Sequence, residues 1–599
     1  MVHMTQTSAG AGSSGPQGIR SRPGPRRGLG RRTGPGPAFG VGPGRLPGPL
    51  GTVACAYTLL QLVLVVPGTG LGWDETVYVT QVSPGVDPAF FSAPRARGIT
   101  YLIAPVTLLT PSVTALRIYL ALLSGLGLFL AFRAWRRLCP EPVLALAGAL
   151  FAGLWITLLY GPQAMPNLWV AFGSLFAVGC FLRAVQLAML ANTAQAGPSV
   201  RSGPHGRSGL PAALLGLGAG VAFVGLMRPV DALWLALPLT AASLFVRRWR
   251  RPALLLVLVV GAALGWAQWV AEAYAQYGGP VARLRRAGEI QGGLGWNLAV
   301  DDQVRSLDGR LLCRPCDVPW RRPVTALWFF ALPLFVLGGI LVAARLRRLP
   351  VVLLPALVGL SLGVQYLLLI GYAAPRFLLP MYALLALPVA LCMAWIARGL
   401  VQRRGRRLLQ WHVQRLTGTA GPRRSVREAL AVSALALALV AHLAVQYAVL
   451  DSAVRRGRVS AAEFGRAAAE LNRLGVRAPC VVIGEEAVRV AHRAGCASRQ
   501  VGGHDGSITP AGIAALAREQ QVAVVVEGDD RPPAYARGWR AVRLPRLPGR
   551  DDVRAYLSPA VPPDDRPSVT VEVQMISRSS PSSASARAGR PCGPSRCAG

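Results

Sequence analysis

Residues Gly51–Glu75 read GTVACAYTLLQLVLVVPGTGLGWDE, an apolar run that gives way within a few residues to two adjacent carboxylates, Asp74 and Glu75. If Thr52 to Pro67 crosses a bilayer as a helix, the acidic pair lies within about two helical turns of the far headgroups, where holding charge is costly and usually serves a purpose. Similar apolar runs recur as far as Leu450, in lengths of roughly 17 to 22 residues, enough to cross a hydrocarbon core of about 30 Å. A β-barrel would alternate in short segments instead. The stretch therefore sets the class: an all-α polytopic membrane protein.

Composition agrees. Of 599 residues, 52% are hydrophobic and 15% charged, and the mean hydropathy is +0.40. A formal net charge of +37 would suit nucleic acid, but the arginines are not gathered on one folded face as such a footprint requires. They sit between the apolar runs, at Arg20–Arg45, Arg133–Arg137, Arg201–Arg207, Arg247–Arg251, Arg345–Arg348 and Arg398–Arg427. Placing all of these bunches in the cytoplasm satisfies the positive-inside rule with about eleven transmembrane helices in a plasma membrane, a cytoplasmic N-terminus and an extracytoplasmic C-terminus. Every basic residue is Arg, with no Lys, which resembles the coding bias of a GC-rich bacterium. It also excludes a complete P-loop signature and a Schiff-base lysine.

The organisation follows. Residues 1–50 are rich in Gly, Pro, Ser and Arg and read as a disordered cytoplasmic tail. The first span, Gly51–Gly68, reads as a retained signal anchor. Residues 51–450 form the membrane domain; its third, sixth, tenth and last spans are expected near Pro142–Tyr160, Ala232–Val246, Leu378–Ile396 and Ala429–Leu450. Gly216 and Gly220 form a small-xxx-small face suited to close helix packing. Two outer loops are too long to be mere connectors: Gly70–Ser112, with the short apolar stretch Ile99–Leu109 suited to the interface, and Glu272–Arg322.

Residues 451–576 alternate β-like runs (Cys480–Ile483, Val522–Val526, Ala541–Leu544) with helical ones (Ala461–Leu474, Glu486–Ala494, Pro510–Gln520), the pattern of a small extracytoplasmic α/β domain. Its Gly502, Gly503, His504, Asp505 turn reads as a polar loop, there being no second matching group for a catalytic site. The tail, 577–599, is Ser, Ala and Gly rich and expected to be disordered. Cys313/Cys316, Cys480/Cys496 and Cys592/Cys597 all fall in segments assigned outside and are candidate disulfides. The Cys313/Cys316 spacing also matches half a redox or zinc site, but no second pair accompanies it, and a loop staple is the preferred reading.

The chemistry gathers at the outer face. A carboxylate just outside the bilayer can take a proton from a hydroxyl nucleophile, with Trp73 and Tyr78 anchoring it at the headgroups; an ordinary juxtamembrane turn is the competing reading. Arg228 and Arg376 break the positive-inside pattern at outer helix ends, where a guanidinium can clamp a lipid phosphate. Snorkelling, or for Arg228 a pair with Asp231, is the alternative. A base beside cationic phosphate binders fits a single displacement: Asp74 deprotonates an acceptor hydroxyl, which attacks a sugar while a lipid phosphate leaves.

The chain resembles the GT-C glycosyltransferases related to protein O-mannosyltransferases and aminoarabinose transferases. The resemblance covers mainly Gly51–Ile396 and rests on Asp74 and Glu75 after the first helix, Arg95–Pro105 (RARGITYLIAP), Tyr160–Asn167 after the third helix and Arg376–Pro380 (RFLLP). It implies a GT-C fold, a polyprenyl-phosphate donor carrying a mannose-like hexose or a pentose, an inverting transfer to a glycan, lipid or protein acceptor, and Asp74 as catalytic carboxylate beside Glu75. Arg376, Arg228 and Tyr372 are then the donor-phosphate binders, with Gln163, Asn167, Arg95 and Arg97 as substrate contacts.

Many relatives carry an acid in the turn after the third helix, where this chain has Gly161–Asn167 without one. That absence leaves any second polar role to Gln163 or Asn167 and argues against a metal, which prefers carboxylate ligands. No cofactor is expected. The rivals are a transporter or flippase of a polyprenyl-linked glycan, which would want polar groups inside the spans rather than the isolated His442, and an inactive GT-C-like scaffold.

Overall fold

The computed structural model describes residues 48–195, 209–293, 295–314, 316, 319–320, 322–417, 426–503, 505–528 and 531–559. The N-terminal arm before Gly48, the Arg201–Arg207 bunch, His504, Cys592, Cys597 and the final tail lie outside them. Among the described residues eight helices are long and apolar enough to cross a membrane, beginning with Val113–Arg133 and ending with Ser433–Arg473, and four shorter apolar helices accompany them: Pro49–Val65, Gly98–Thr107, Glu141–Ala152 and Pro229–Phe245. Leu256, Val259 and Leu264 lie exposed on the Pro252–Tyr277 helix, as expected of an integral membrane protein whose outer surface meets lipid.

Small residues set the closest helix approaches. A Cβ on Gly220 would stand 2.9 Å from Ala177, and one on Gly216 2.7 Å from the Cys180 sulfur, so the Gly209–Met227 and Pro166–Gln195 helices meet along the stripe that the sequence marks. The first helix ends in a π-turn, Gln61–Val65, that places the buried Gln61 amide against Ser124, whose hydroxyl donates to Gln61 Oε1 at 3.0 Å.

Two expected spans take a different form. Pro142–Tyr160 is not one helix: Glu141–Ala152 stops at Gly153, Leu154 is extended, and Trp155–Tyr160 restarts. The interruption exposes backbone donors inside the bundle, and Gln446 from the last helix accepts one of them, from Trp155 N at 2.9 Å. The last helix runs from Val426 to Arg473 without a break. Its Asp451–Arg473 portion continues for roughly 35 Å at 1.5 Å per residue, so the boundary expected between residues 450 and 451 falls inside a continuous helix.

That helix carries the sheet domain. Strands β1 (Cys480–Gly484), β2 (Ala497–Arg499), β3 (Gln521–Glu527), β4 (Arg540–Leu544) and β5 (Val553–Leu557) form one sheet ordered β2-β1-β3-β5-β4. β1 pairs in parallel with both β2 and β3, with Ala487–Ala494 and Pro510–Glu519 as the helical crossovers, and the β3–β5 and β5–β4 pairs are antiparallel. Phe464, Ala468 and Leu471 of the long helix pack on one face with Val482 and Val525; Ile513 packs on the other with Ile483 and Val524. Register places Val481 opposite Ala497, and Cys480 and Cys496, one residue earlier on each side, are disulfide-bonded. Cys313 is bonded to Cys316.

Candidate active site

Gly72 caps the short helix Trp73–Thr80, and Glu75 reaches back to accept from Gly72 N at 2.9 Å. Adjacent positions on a helix point about 100° apart, so the two carboxylates separate. Glu75 turns inward and is buried. It accepts from Arg117 Nη1 at 2.5 Å and Nη2 at 2.8 Å, and from Ala164 N at 2.7 Å. Arg117 also donates to Gly70 O at 2.6 Å and Pro162 O at 2.8 Å. This pair binds the Asp74 loop to the 161–165 turn, which lacks an acid of its own.

Asp74 turns the other way, with 35% of its side chain exposed. Its Oδ1 accepts from Arg95 Nη2 at 2.9 Å and its Oδ2 from Arg376 Nη2 at 3.0 Å. Burial pushes the carboxyl up, but the neighbouring Arg95 and Arg376 guanidiniums outweigh it and hold Asp74 below the usual carboxylate range. Arg376 is itself fixed: Nη1 donates to Leu311 O at 3.0 Å and approaches Tyr160 Oη at 3.4 Å, and its Nε has no partner among the described residues. The segment before Arg376 is held by paired backbone bonds between Cys313 and Ala373, at 2.8 and 3.1 Å, so the disulfide loop Cys313–Cys316 is built against the arginine's base. Tyr372 is half-buried in the same segment, with the Arg314 guanidinium 5.0 Å from its ring centre and its edge on Phe377.

Arg228 is paired with Asp231, Nε to Oδ2 at 3.1 Å, and lies over the Tyr366 and Phe377 rings at 5.5 and 5.7 Å. It nevertheless borders a largely apolar cavity of about 250 Å³ that Trp234, Trp269, Leu284 and Leu369 also line. Arg97 is committed elsewhere: it donates to Glu272 at 2.7 Å and Gln81 at 3.2 Å and covers the Phe91 ring. Glu272 also takes Arg283 at 2.9 Å, and Arg283 holds the carbonyls of Ala93, Trp269 and Arg95, so this network braces the strap on which Arg95 sits. Gln163 is half-buried, Asn167 is buried with its amide unpartnered among the described residues, and neither is hydrogen-bonded to Asp74, Arg95 or Arg376.

The structure thus brings together Asp74, Arg95 and Arg376 from three separate segments, adds Tyr160, and leaves Arg97 as a brace. Arg117 is absent from the candidates above, although an arginine near the start of the apolar Val113–Arg133 helix breaks the positive-inside pattern as clearly as Arg228 does. No three His, Cys, Asp or Glu residues gather into a metal-binding group among the described residues. Asp74, the more exposed of the two adjacent carboxylates, is framed by guanidiniums, which repel a cation and attract an anion.

No protein-family model and no curated protein matches this sequence. Among solved structures, ArnT from Cupriavidus metallidurans bound to undecaprenyl phosphate superposes with a TM-score of 0.56 at 12% identity, covering 86% of this chain and 98% of that one. The apo form of the same protein gives 0.54 at 12% identity, covering 84% and 97%. The Archaeoglobus fulgidus oligosaccharyltransferase tethered to an acceptor peptide aligns at 0.47 and 14% identity, over 80% of this chain and 68% of that one. With eight long apolar helices among the described residues, a short interfacial-length helix after the first of the shorter ones and a terminal sheet domain, the chain has a GT-C fold, superposing on ArnT over 86% of its length.

Proposed function

We propose that this protein moves a sugar from a polyprenyl-phosphate carrier to an acceptor hydroxyl on the extracytoplasmic face of the membrane. The observation that carries the reading is one accessible carboxylate, Asp74, set between the guanidiniums of Arg95 and Arg376. The undecaprenyl phosphate bound to the structurally similar ArnT supports a lipid phosphate as the ligand here. The Arg133–Arg137, Arg247–Arg251 and Arg345–Arg348 bunches at the other helix ends support the sidedness.

In the ligand-free state the arginines neutralise Asp74. A donor phosphodiester, entering with its lipid chain along the cavity beside Arg228, competes for Arg376 and Arg95 and releases carboxylate oxygen from them. Asp74, with less positive charge on it and an anion nearby, becomes a better base. It takes the proton of the acceptor hydroxyl as that oxygen bonds to the anomeric carbon. The bond from that carbon to the phosphate oxygen breaks, its electron pair leaving on the phosphate, and Arg376 meets the charge that develops there. Tyr372 and Arg228 flank the phosphate, and the inversion of the anomeric centre follows from the single displacement.

Two results test this in full-length protein in lipid nanodiscs, given polyprenyl-phosphate mannose and a polyprenyl-phosphate pentose. Arg376→Lys keeps a positive charge but loses the fork that spans two oxygens, and kcat is expected to fall by about 10²-fold. The pH profiles should also separate. Asp74 is held low in the free enzyme, so kcat/KM stays flat through neutral pH and falls only at pH values below the ordinary carboxylate range. With phosphate bound, the acid limb of kcat lies at higher pH than that of kcat/KM. Coincident limbs would mean that the donor does not take the arginines from Asp74.

A further inference from the structure

Asp505 has no part in the reaction just described, yet it comes to the edge of the site. Asp505 Oδ1 stands 3.7 Å from Arg95 Nη1, while the other terminal nitrogen of the same guanidinium is 2.9 Å from Asp74. Arg95 Nη1 also donates to Ser92 Oγ. The approach is part of a wider seat for the sheet domain on the first loop. Val488 joins the core of the membrane domain, Val77 and Phe90 share a small cleft with Ser498 and Gln500, and Arg499 approaches Asp87 at 3.8 Å and Pro88 O at 3.5 Å.

We propose that Asp505 is a positioning residue through which the sheet domain governs the site: two carboxylates from different parts of the chain share one guanidinium, and the hold of Asp505 on Arg95 limits the hold of Arg95 on Asp74. The inference rests on Asp74 being the working carboxylate. The charged and titratable groups around Asp74 are Arg95 on the strap, Arg376 ahead of the tenth span, Arg228 farther off, Tyr78 on its own helix and Tyr160 behind Arg376. Its neighbour Glu75 is occupied by Arg117. Asp505 is the carboxylate that reaches this group from the sheet domain. Removing its charge acts on Asp74 twice in the same direction: Arg95 becomes free to grip Asp74 more tightly, and a nearby negative charge disappears. Both favour the ionised form of Asp74 and move its titration to lower pH.

The test is an infrared titration of ligand-free, full-length protein, following the carboxyl band that disappears in Asp74→Asn. In Asp505→Asn that band is expected to titrate about half a pH unit lower than in wild type, and the acid limb of kcat/KM to move with it. Asp505→Glu should restore the wild-type position. Arg499→Ala, which removes the contacts to Asp87 and Pro88 while Asp505 and Arg95 keep theirs, should leave it unmoved. No shift, or an upward one, in Asp505→Asn overturns the inference, as does an equal shift in Arg499→Ala. The outcome is separable from the transferase reading. An unmoved band with turnover still dependent on Asp74 removes only the role of Asp505, whereas a shifted band with turnover indifferent to Asp74→Asn removes the transferase mechanism and leaves the coupling.

Discussion

Asp74→Asn is expected to reduce sugar transfer by about 10²–10⁴-fold while the protein remains folded. The amide keeps the size of the side chain and one hydrogen-bond acceptor for Arg95 or Arg376, but cannot take a proton from an acceptor hydroxyl. Folding should be less affected than by the loss of a fully buried pair, because the Asp74 side chain is one-third exposed and the amide still accepts from one of the guanidiniums. Donor binding is expected to survive and even to tighten, since a neutral side chain no longer competes with the donor phosphate for the two guanidiniums. The measurement is therefore a pair, initial rates of sugar transfer and the Kd for polyprenyl phosphate. A variant that loses both would instead mark Asp74 as part of the scaffold.

Glu75→Gln should show the opposite profile, a protein damaged in stability. Glu75 and Arg117 are both buried, and the carboxylate has four donors around it. Removing its charge leaves the Arg117 guanidinium uncompensated in the bundle, a change of about 3–5 kcal/mol for a buried pair broken on one side. Thermal unfolding in detergent is expected to drop sharply, and the yield of monodisperse protein with it. The double variant Glu75→Gln/Arg117→Gln should be less destabilised than the two single changes added together, because no lone charge remains. Unchanged stability with lost turnover in Glu75→Gln would make Glu75, and not Asp74, the base.

Much of this arrangement was legible in the sequence, for reasons visible in particular residues. Apolar runs long enough to cross a bilayer mark their helices almost without regard to context, and the shorter apolar stretch Ile99–Leu109 forms the short helix Gly98–Thr107. In the terminal domain, β1 and β3 stand out as valine-rich runs, whereas β2 is only Ala497–Arg499 and β5 alternates less clearly. Asp74 and Arg376 were both picked out by their position at the ends of spans, but local spacing cannot show that a carboxylate and a guanidinium 302 positions apart are in contact. Arg97 looks as available as Arg95 in the sequence; only the fold brings Glu272, 175 positions away, against it. The break at Gly153 was hidden for the same reason, since its support comes from Gln446 on the last helix.

The most direct test follows the donor itself. Full-length protein in nanodiscs is given a polyprenyl-phosphate sugar and a mixture of cell-envelope acceptors, and phosphorus NMR records the phosphodiester. Wild type should convert it to the polyprenyl phosphate monoester as sugar appears on an acceptor, and Asp74→Asn should leave the phosphodiester intact. Equal conversion by the two proteins, or a phosphodiester that wild type moves across a sealed membrane without cleaving, would contradict the account.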